Sequence, residues 1–118
     1  MITIQTILTD LEVIQASRTA GFVQVLEHGR QVLKARVYLS GELFVQVYRN
    51  DRFGTTSFAL ILGGRRIYGR DEREGQWHRH QADAPDAHDE SKEGRRAVEL
   101  HEFWAEVLAV LVKLGLLL

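Results

Sequence analysis

Apolar and polar residues alternate with a period of two through the middle of this chain, over residues 22–70. Successive side chains of a strand point to opposite faces, so this pattern predicts an antiparallel sheet with one buried face. Within residues 30–39, for example, Leu33 and Val37 point to one side and Lys34 points to the other. Few architectures other than a layered sheet can satisfy such a pattern.

Short turn signals divide the alternating region into about five predicted strands. The strongest is Gly63-Gly64, because adjacent glycines readily adopt the positive φ angles of a two-residue hairpin. A chain of 118 residues can bury one core, so we predict a single domain over residues 1–118. The predicted strands cover residues 22–28, 30–39, 42–50, 55–62 and 65–70.

Helical spacing of apolar residues predicts a long C-terminal helix that covers one face of the sheet. Asp89 or Ser91 can cap its start, and Gly115 can end it in the left-handed conformation. Phe103 and Val110 flank its polar stripe, so a homodimer through this helix is also expected. The face predicted to meet the sheet carries Ala97, Leu100, Trp104, Val107, Leu108 and Leu111.

The N-terminal segment carries apolar residues at helical spacing, at Ile4, Ile7 and Leu11. We predict a short helix there, followed by a strand over residues 12–18. Together these elements predict the α+β class, with a single antiparallel sheet of about five strands packed on a long C-terminal helix.

The composition excludes several classes of function. The chain has no cysteine, which excludes disulfides, thiolate metal sites and a cysteine nucleophile. Its net charge is -1, so no global field attracts nucleic acid or an anionic membrane. The apolar stretch at residues 107–118 contains Lys113 and is shorter than the ~20 residues that span a bilayer. With no signal-peptide pattern at the start, we expect a cytoplasmic protein without a membrane partner.

Residues 65–89 contain most of the chemically capable side chains, including three of the five histidines, His78, His80 and His88. The alternation stops at Arg70, so we predict that the sheet ends there. On this interpretation residues 75–88 form a mobile loop that crosses to the C-terminal helix. The side chain of His28 is expected to be exposed at a turn.

One interpretation of this segment is a metal-independent ribonuclease. One histidine would take a proton from a 2′-hydroxyl, a second would return one to the leaving oxygen, and an arginine would stabilise the developing charge. The substrate-binding candidates are Arg66, Trp77, which could stack on a base, and Arg79. The catalytic candidates are Arg70, Asp71, His78, His80 and His88.

A second interpretation is a divalent metal site. His78 and His80, two residues apart on an extended segment, project their rings to one side, and His88 could join them. Zinc, manganese and nickel all accept such ligands. The carboxylate that completes the set is left open among Asp71, Asp86 and Asp89. His101 is interpreted separately, as a core histidine on the buried face of the helix.

The order of these features resembles the TumE family of small toxins from toxin–antitoxin pairs. An amphipathic strand pair with the Ser40-Gly41 turn is followed by an aromatic strand and then by residues 67–72, which lead into the histidine-rich segment. In that family a strand ending in an Arg-x-Asp-Asn-like motif precedes clustered histidines, often with a His-basic-His element. The similarity spans roughly residues 12–90, and the matching positions are Arg70, Asp71, His78, Arg79 and His80.

The resemblance implies a cytoplasmic toxin whose partner is an antitoxin encoded next to it, and whose target is RNA. The competing hypothesis is a non-enzymatic, dimeric binding or regulatory module that uses the histidines for metal or protein contacts. An adjacent gene for a DNA-binding antitoxin would favour the first hypothesis, and a solitary gene the second.

Overall fold

A computed structural model describes residues 1–116 and contains, within them, one antiparallel sheet and two helices. The α+β class and the antiparallel sheet are confirmed, but the sheet has seven strands where about five were predicted. Each strand pairs with the next along the chain. The strands are β1 (Phe22–His28), β2 (Val32–Tyr38), β3 (Leu43–Asn50), β4 (Thr55–Leu62), β5 (Arg65–Arg73), β6 (Gln76–Gln81) and β7 (Ala84–Asp89), and the helices are α1 (Ile4–Ser17) and α2 (Leu100–Lys113).

The apolar members of the alternating pattern form one side of the core, as predicted. Leu33, Val37 and Val45 are completely buried. α1 contacts β1 and β2, α2 contacts β4 and β5, and the two helices contact each other. Both helices therefore cover the same face of the sheet. The opposite face, called the open face below, carries the polar members of the pattern.

The N-terminal helix is longer than predicted. Thr3 begins it, because its Oγ1 accepts from the backbone N–H of Thr6 at 3.1 Å. The buried residues Leu11 and Ile14 continue the same helical spacing to Ser17. The strand predicted over residues 12–18 was therefore wrong, because the helical period continues through that segment.

α2 begins at Leu100, well after the predicted capping residues Asp89 and Ser91. The backbone before α2 turns at residues 93–96, where the N–H of Arg96 donates to the carbonyl of Glu93 at 3.2 Å. The same carbonyl also accepts from Nη1 of Arg70 on β5, at 2.9 Å. The segment before α2 thus forms a short turn that is tied to the sheet.

The buried side of α2 includes Leu100, Trp104 and Leu111, as predicted. Ala97 precedes the helix and is exposed, so its predicted place on that face was wrong. Phe103 is completely buried against the sheet, which removes it from the surface that favoured a helix-mediated homodimer.

The end of α2 follows the predicted left-handed stop. Gly115 has φ 72°, and the backbone N–H of Leu116 donates to the carbonyl of Leu111 at 2.9 Å. Leu117 and Leu118, the end of the apolar stretch at residues 107–118, lie outside the described residues. Among the described residues, neither helix has the length and apolarity needed to cross a bilayer.

Candidate functional site

A row of side chains crosses the open face in register. Lys34 on β2 lies opposite Tyr48 on β3, and Tyr48 lies opposite Ser57 on β4. Ser57 lies opposite Asp71 on β5, and Asp71 lies opposite His78 on β6. The row places the acidic and histidine residues of the second half of the chain beside polar and aromatic residues of the first half.

An irregularity in the pairing of β4 with β5 decides which residues of β5 reach the open face. Arg66 lies opposite Ile61, in the register of the tight Gly63-Gly64 turn, but Tyr68 lies opposite Leu60. Ile67 is the extra residue. Because side chains alternate along a strand, one extra residue turns every later side chain to the other face.

This shift places Asp71, and not Arg70, opposite Ser57. It also brings Arg66 and Asp71, five residues apart, onto the same face. The guanidinium of Arg66 passes over Gly69, where an added Cβ would lie 3.5 Å from its Cζ and 3.0 Å from the carbonyl oxygen of Phe58. The contact with the guanidinium would be an ordinary one, whereas the contact with the Phe58 carbonyl would be tight.

Asp71 accepts hydrogen bonds from Ser57 Oγ at 2.8 Å and from Arg66 Nη1 at 2.9 Å. Burial opposes its ionisation, but the hydrogen bond and charge of Arg66 and the hydrogen bond of Ser57 outweigh this effect and lower its pKa. The ionised carboxylate also faces two imidazoles. Its Oδ2 lies 3.5 Å from His78 Nε2 and 3.4 Å from His80 Nε2.

The ring of His80 is held in one orientation by the backbone of β7. Its Nδ1 lies 2.8 Å from the carbonyl oxygen of Pro85, which can only accept, so Nδ1 carries the proton. Burial, followed by the charge of Arg66, lowers the pKa of His80, although the Pro85 carbonyl and Asp71 oppose the shift. A neutral ring leaves a lone pair on Nε2, and that lone pair faces the Asp71 carboxylate.

His88 on β7 completes a cluster with the two histidines of β6. The ring of His88 stacks on that of His78 with centroids 4.4 Å apart, and its centroid lies 4.9 Å from that of His80. One nitrogen from each ring can be chosen so that all three lie within 4.8 Å of one another. His80 is buried, His78 is half-buried and His88 is exposed, so the cluster is accessible from one side.

The cluster opens into a cleft of about 710 Å³ on the open face. Ser57 is a site residue that the sequence analysis missed, because it lies in the most apolar strand and its register depends on the bulge. The rest of the cleft wall is formed mainly by the ends of β4, β5 and β6. Its further lining residues are Thr55, Thr56, Glu72, Arg73, Glu74 and Gln76.

Arg70 does not reach this cleft, although the sequence analysis placed it among the catalytic candidates. Its side chain is completely buried on the helix-covered face. There it donates from Nε to Glu106 at 2.8 Å and from Nη2 to Glu93 at 3.0 Å. Arg70 is therefore corrected to a structural residue that joins the sheet to the segment before α2.

Trp77 and Arg79, predicted to bind substrate, also lie on the helix-covered face. Trp77 is 7% exposed and packs near Phe58, with ring centroids 6.4 Å apart. Arg79 donates from Nε to Asp89 at 2.8 Å. That pairing also removes Asp89 from the carboxylates proposed to join the histidines, and Asp71 is the one that lies beside them.

The two remaining histidines lie outside the cluster. His28 is exposed, as predicted. His101 was predicted to be a core residue, but its side chain is 56% exposed and its Nδ1 lies 3.0 Å from Oδ2 of Asp10 on α1. His101 lies beside the buried side of α2 and faces α1. The buried side itself carries Leu100, Phe103, Trp104, Val107 and Leu111.

The cluster has the donor types of a metal site. One nitrogen from each histidine lies within 4.8 Å of the other two, and Asp71 Oδ2 lies beside His78 and His80. Imidazole nitrogens and a carboxylate are common ligands of divalent metal ions. The same imidazoles can also donate and accept protons.

No protein-family model, curated protein or solved structure matches this chain.

Proposed function

We propose that this protein is a TumE-like toxin that cleaves single-stranded RNA in the cleft on its open face. The observation that carries the proposal is the row in register from Lys34 and Tyr48 to Asp71 and His78. The Lys34 ammonium and the Tyr48 ring therefore share a surface with the histidine cluster, and we propose that the ring stacks on a base. β3 and β6 are three strand spacings apart, about 14 Å, which a short stretch of RNA can span.

A second group of side chains on the open face suits unpaired bases. Phe22 and Tyr38 stack with ring centroids 4.5 Å apart, and Tyr38 lies 5.3 Å from Phe44. The guanidinium of Arg36 lies 4.6 Å above the ring of Phe44. Single-stranded RNA is bound by such combinations, because bases stack on aromatic rings and cations neutralise phosphates. This local arrangement supports RNA binding despite a net charge of -1.

The resemblance to the TumE family supports the same function through Asp71, His78 and His80, which match the family pattern and lie together in the cleft. Arg70 and Arg79 match the same pattern but serve the core, so the proposal does not use them in the reaction. The proposed partner is an antitoxin encoded by an adjacent gene, and the proposed place of action is the cytoplasm.

Induced expression in a bacterial host tests the proposal. We expect the wild-type protein to arrest growth and, when purified, to cleave a single-stranded RNA. His78→Ala and His80→Ala should relieve the arrest and abolish cleavage, because both rings line the cleft. His28→Ala is the matched control, since it removes an exposed histidine outside the cleft.

A wild-type protein that is harmless in several hosts and leaves RNA intact would contradict the proposal. Cleavage that persists unchanged in His78→Ala would also contradict it, because the reaction would then lie outside the cleft. Either result would favour the non-enzymatic binding module.

A further inference from the structure

We propose that His78, His80 and His88, together with the carboxylate of Asp71, bind one divalent first-row transition metal ion such as Zn²⁺. This inference goes beyond the proposed function, because metal binding by the cluster does not require RNA to be the substrate. It also replaces the metal-independent chemistry expected from the sequence.

The spacing of the donor atoms supports a shared ion. Four ligands at about 2.0–2.1 Å from a tetrahedral zinc lie about 3.3 Å from one another. Asp71 Oδ2 lies 3.5 Å from His78 Nε2 and 3.4 Å from His80 Nε2, close to that spacing. The three histidine nitrogens lie within 4.8 Å of one another, and the exposed ring of His88 can move inward to close the set.

The backbone of β7 turns the His80 ring toward the same point. Its Nδ1 lies 2.8 Å from the carbonyl oxygen of Pro85, so Nε2 is the ring nitrogen that faces Asp71. That Nε2 lies 3.4 Å from Asp71 Oδ2. Both are atoms that bind metal ions, and the contact with Pro85 makes them converge.

The residues around the cluster orient the proposed ligands by hydrogen bonds, as is usual at metal sites. A metal-binding histidine usually donates its other ring N–H to a carbonyl or carboxylate, and Pro85 supplies such a carbonyl to His80. The carboxylate of Asp71 is likewise oriented by Ser57 and Arg66, through hydrogen bonds of 2.8 Å and 2.9 Å. His80 and Asp71 are therefore positioned before any ion arrives, whereas His88 moves inward to complete the set.

The donor set selects the class of metal. Three imidazole nitrogens and one carboxylate suit zinc, cobalt, nickel or manganese, whereas magnesium and calcium prefer an all-oxygen shell. The cleft of about 710 Å³ lies on the open side of the cluster and leaves space for a water or a phosphate oxygen on the ion. A divalent ion held there would supply Lewis-acid chemistry, which polarises a phosphoryl oxygen.

Isothermal titration of EDTA-dialysed protein with ZnCl₂, in the absence of RNA, tests the inference. We expect one Zn²⁺ per chain, and a Co²⁺ titration should give the visible absorption of a four- or five-coordinate site. His88→Ala should weaken Zn²⁺ binding by at least about 100-fold, because loss of an outer partner alone costs about 10–100-fold. His88 is exposed on β7, so the variant should fold normally, which circular dichroism can verify.

Asp71→Asn, which keeps the side-chain shape, should also weaken Zn²⁺ binding, whereas His28→Ala should leave it unchanged. Failure of the wild-type protein to bind Zn²⁺ or Co²⁺ would overturn the inference, and so would equal losses in His88→Ala and His28→Ala. RNA cleavage that continues in EDTA would overturn a catalytic metal but leave the proposed function intact. Tight Zn²⁺ binding without any RNA cleavage would support the metal site and count against the ribonuclease.

Discussion

His78 and His88 stack with their ring centroids 4.4 Å apart and their planes inclined by 18°. They belong to the neighbouring strands β6 and β7, a part of the chain where the sequence predicted only a loop. The extra hairpin therefore forms the cluster, because it brings His88 back to the two histidines of β6.

Replacement of Arg70 tests its structural role. Arg70→Met keeps much of the side-chain volume but removes the donors to Glu106 and Glu93. We expect the free energy of unfolding to fall by about 3 kcal/mol, which is the lower end of the range for breaking a buried ion pair. The lower end applies because one of the two partners, Glu93, is half exposed. Urea denaturation measures this loss.

Arg95→Met is the matched control, since Arg95 is 64% exposed and lies 3.9 Å from Glu90. Its effect should stay within about 0.5 kcal/mol. Equal stabilities of the Arg70 and Arg95 variants, with loss of RNA cleavage only in the first, would return Arg70 to the reaction.

The glycine beneath Arg66 offers a second prediction. In Gly69→Ala the new Cβ would lie 3.0 Å from the carbonyl oxygen of Phe58 and 3.5 Å from the Arg66 guanidinium. We expect a loss of about 1–3 kcal/mol in stability, because the new Cβ presses on the Phe58 carbonyl. Gly41→Ala is the control, because no atom lies within 4 Å of a Cβ at that turn. Thermal unfolding should separate the two variants, and equal stabilities would contradict the tight packing at Gly69.

Tyr48 is predicted to stack on a base of bound RNA. Tyr48→Ala should weaken binding of a fluorescent single-stranded RNA by about 1–3 kcal/mol, measured with EDTA present to prevent metal-assisted cleavage. Phe53→Ala removes an aromatic ring that is 61% exposed in the loop after β3, away from the row, and should change affinity little. If both variants bind RNA as tightly as the wild type, the open face does not bind bases at Tyr48.

The contact between His101 and Asp10 predicts a pH-dependent contribution to stability. The hydrogen bond and charge of Asp10 on α1, aided by Glu102 and Glu99, raise the pKa of His101. A raised pKa means that the stabilisation is fully present below the unfolded-state pKa of about 6.5 and is lost as pH rises through the folded-state value. The side chain is largely exposed, so we expect only about 0.2–1 kcal/mol.

Urea denaturation of the wild type and of His101→Gln, at about pH 5.5 and about pH 8.5 on either side of the ordinary histidine pKa, measures this effect. The wild type should exceed the variant by more at the lower pH. A difference that grows with pH would show that the pKa is not raised.

The first four strands could be predicted because apolar and polar residues alternate along the chain, and in β2 and β3 buried positions alternate with less buried ones. β6 and β7 escaped prediction for physical reasons. In β6 the helix-facing position after Trp77 is Arg79, whose charge is neutralised by Asp89 of β7. A charged residue on the buried face interrupts the alternation of apolar and polar residues that would predict a strand. β7 is an edge strand with little buried surface, and it tolerates Pro85 for that reason.

The composition of the site was only partly predictable. The sequence pointed to Asp71 and the three histidines, which the structure brings together, but it also pointed to Arg70. A two-residue turn at Gly63-Gly64 without the bulge would have placed Arg70 opposite Ser57. The extra residue, Ile67, sends Arg70 into the core and leaves the open-face position to Asp71. A bulge of this kind depends on packing and carries no local sequence signal here.

We propose that Asp71, His78, His80 and His88 form one metal site. An anomalous difference map at the zinc edge, from crystals grown with equimolar Zn²⁺, tests this directly. We expect one dominant peak on the open face, about 2.0–2.2 Å from a nitrogen of each histidine and from an oxygen of Asp71. A map without a peak between these residues, or with its dominant peak at His28 or His101, would contradict it.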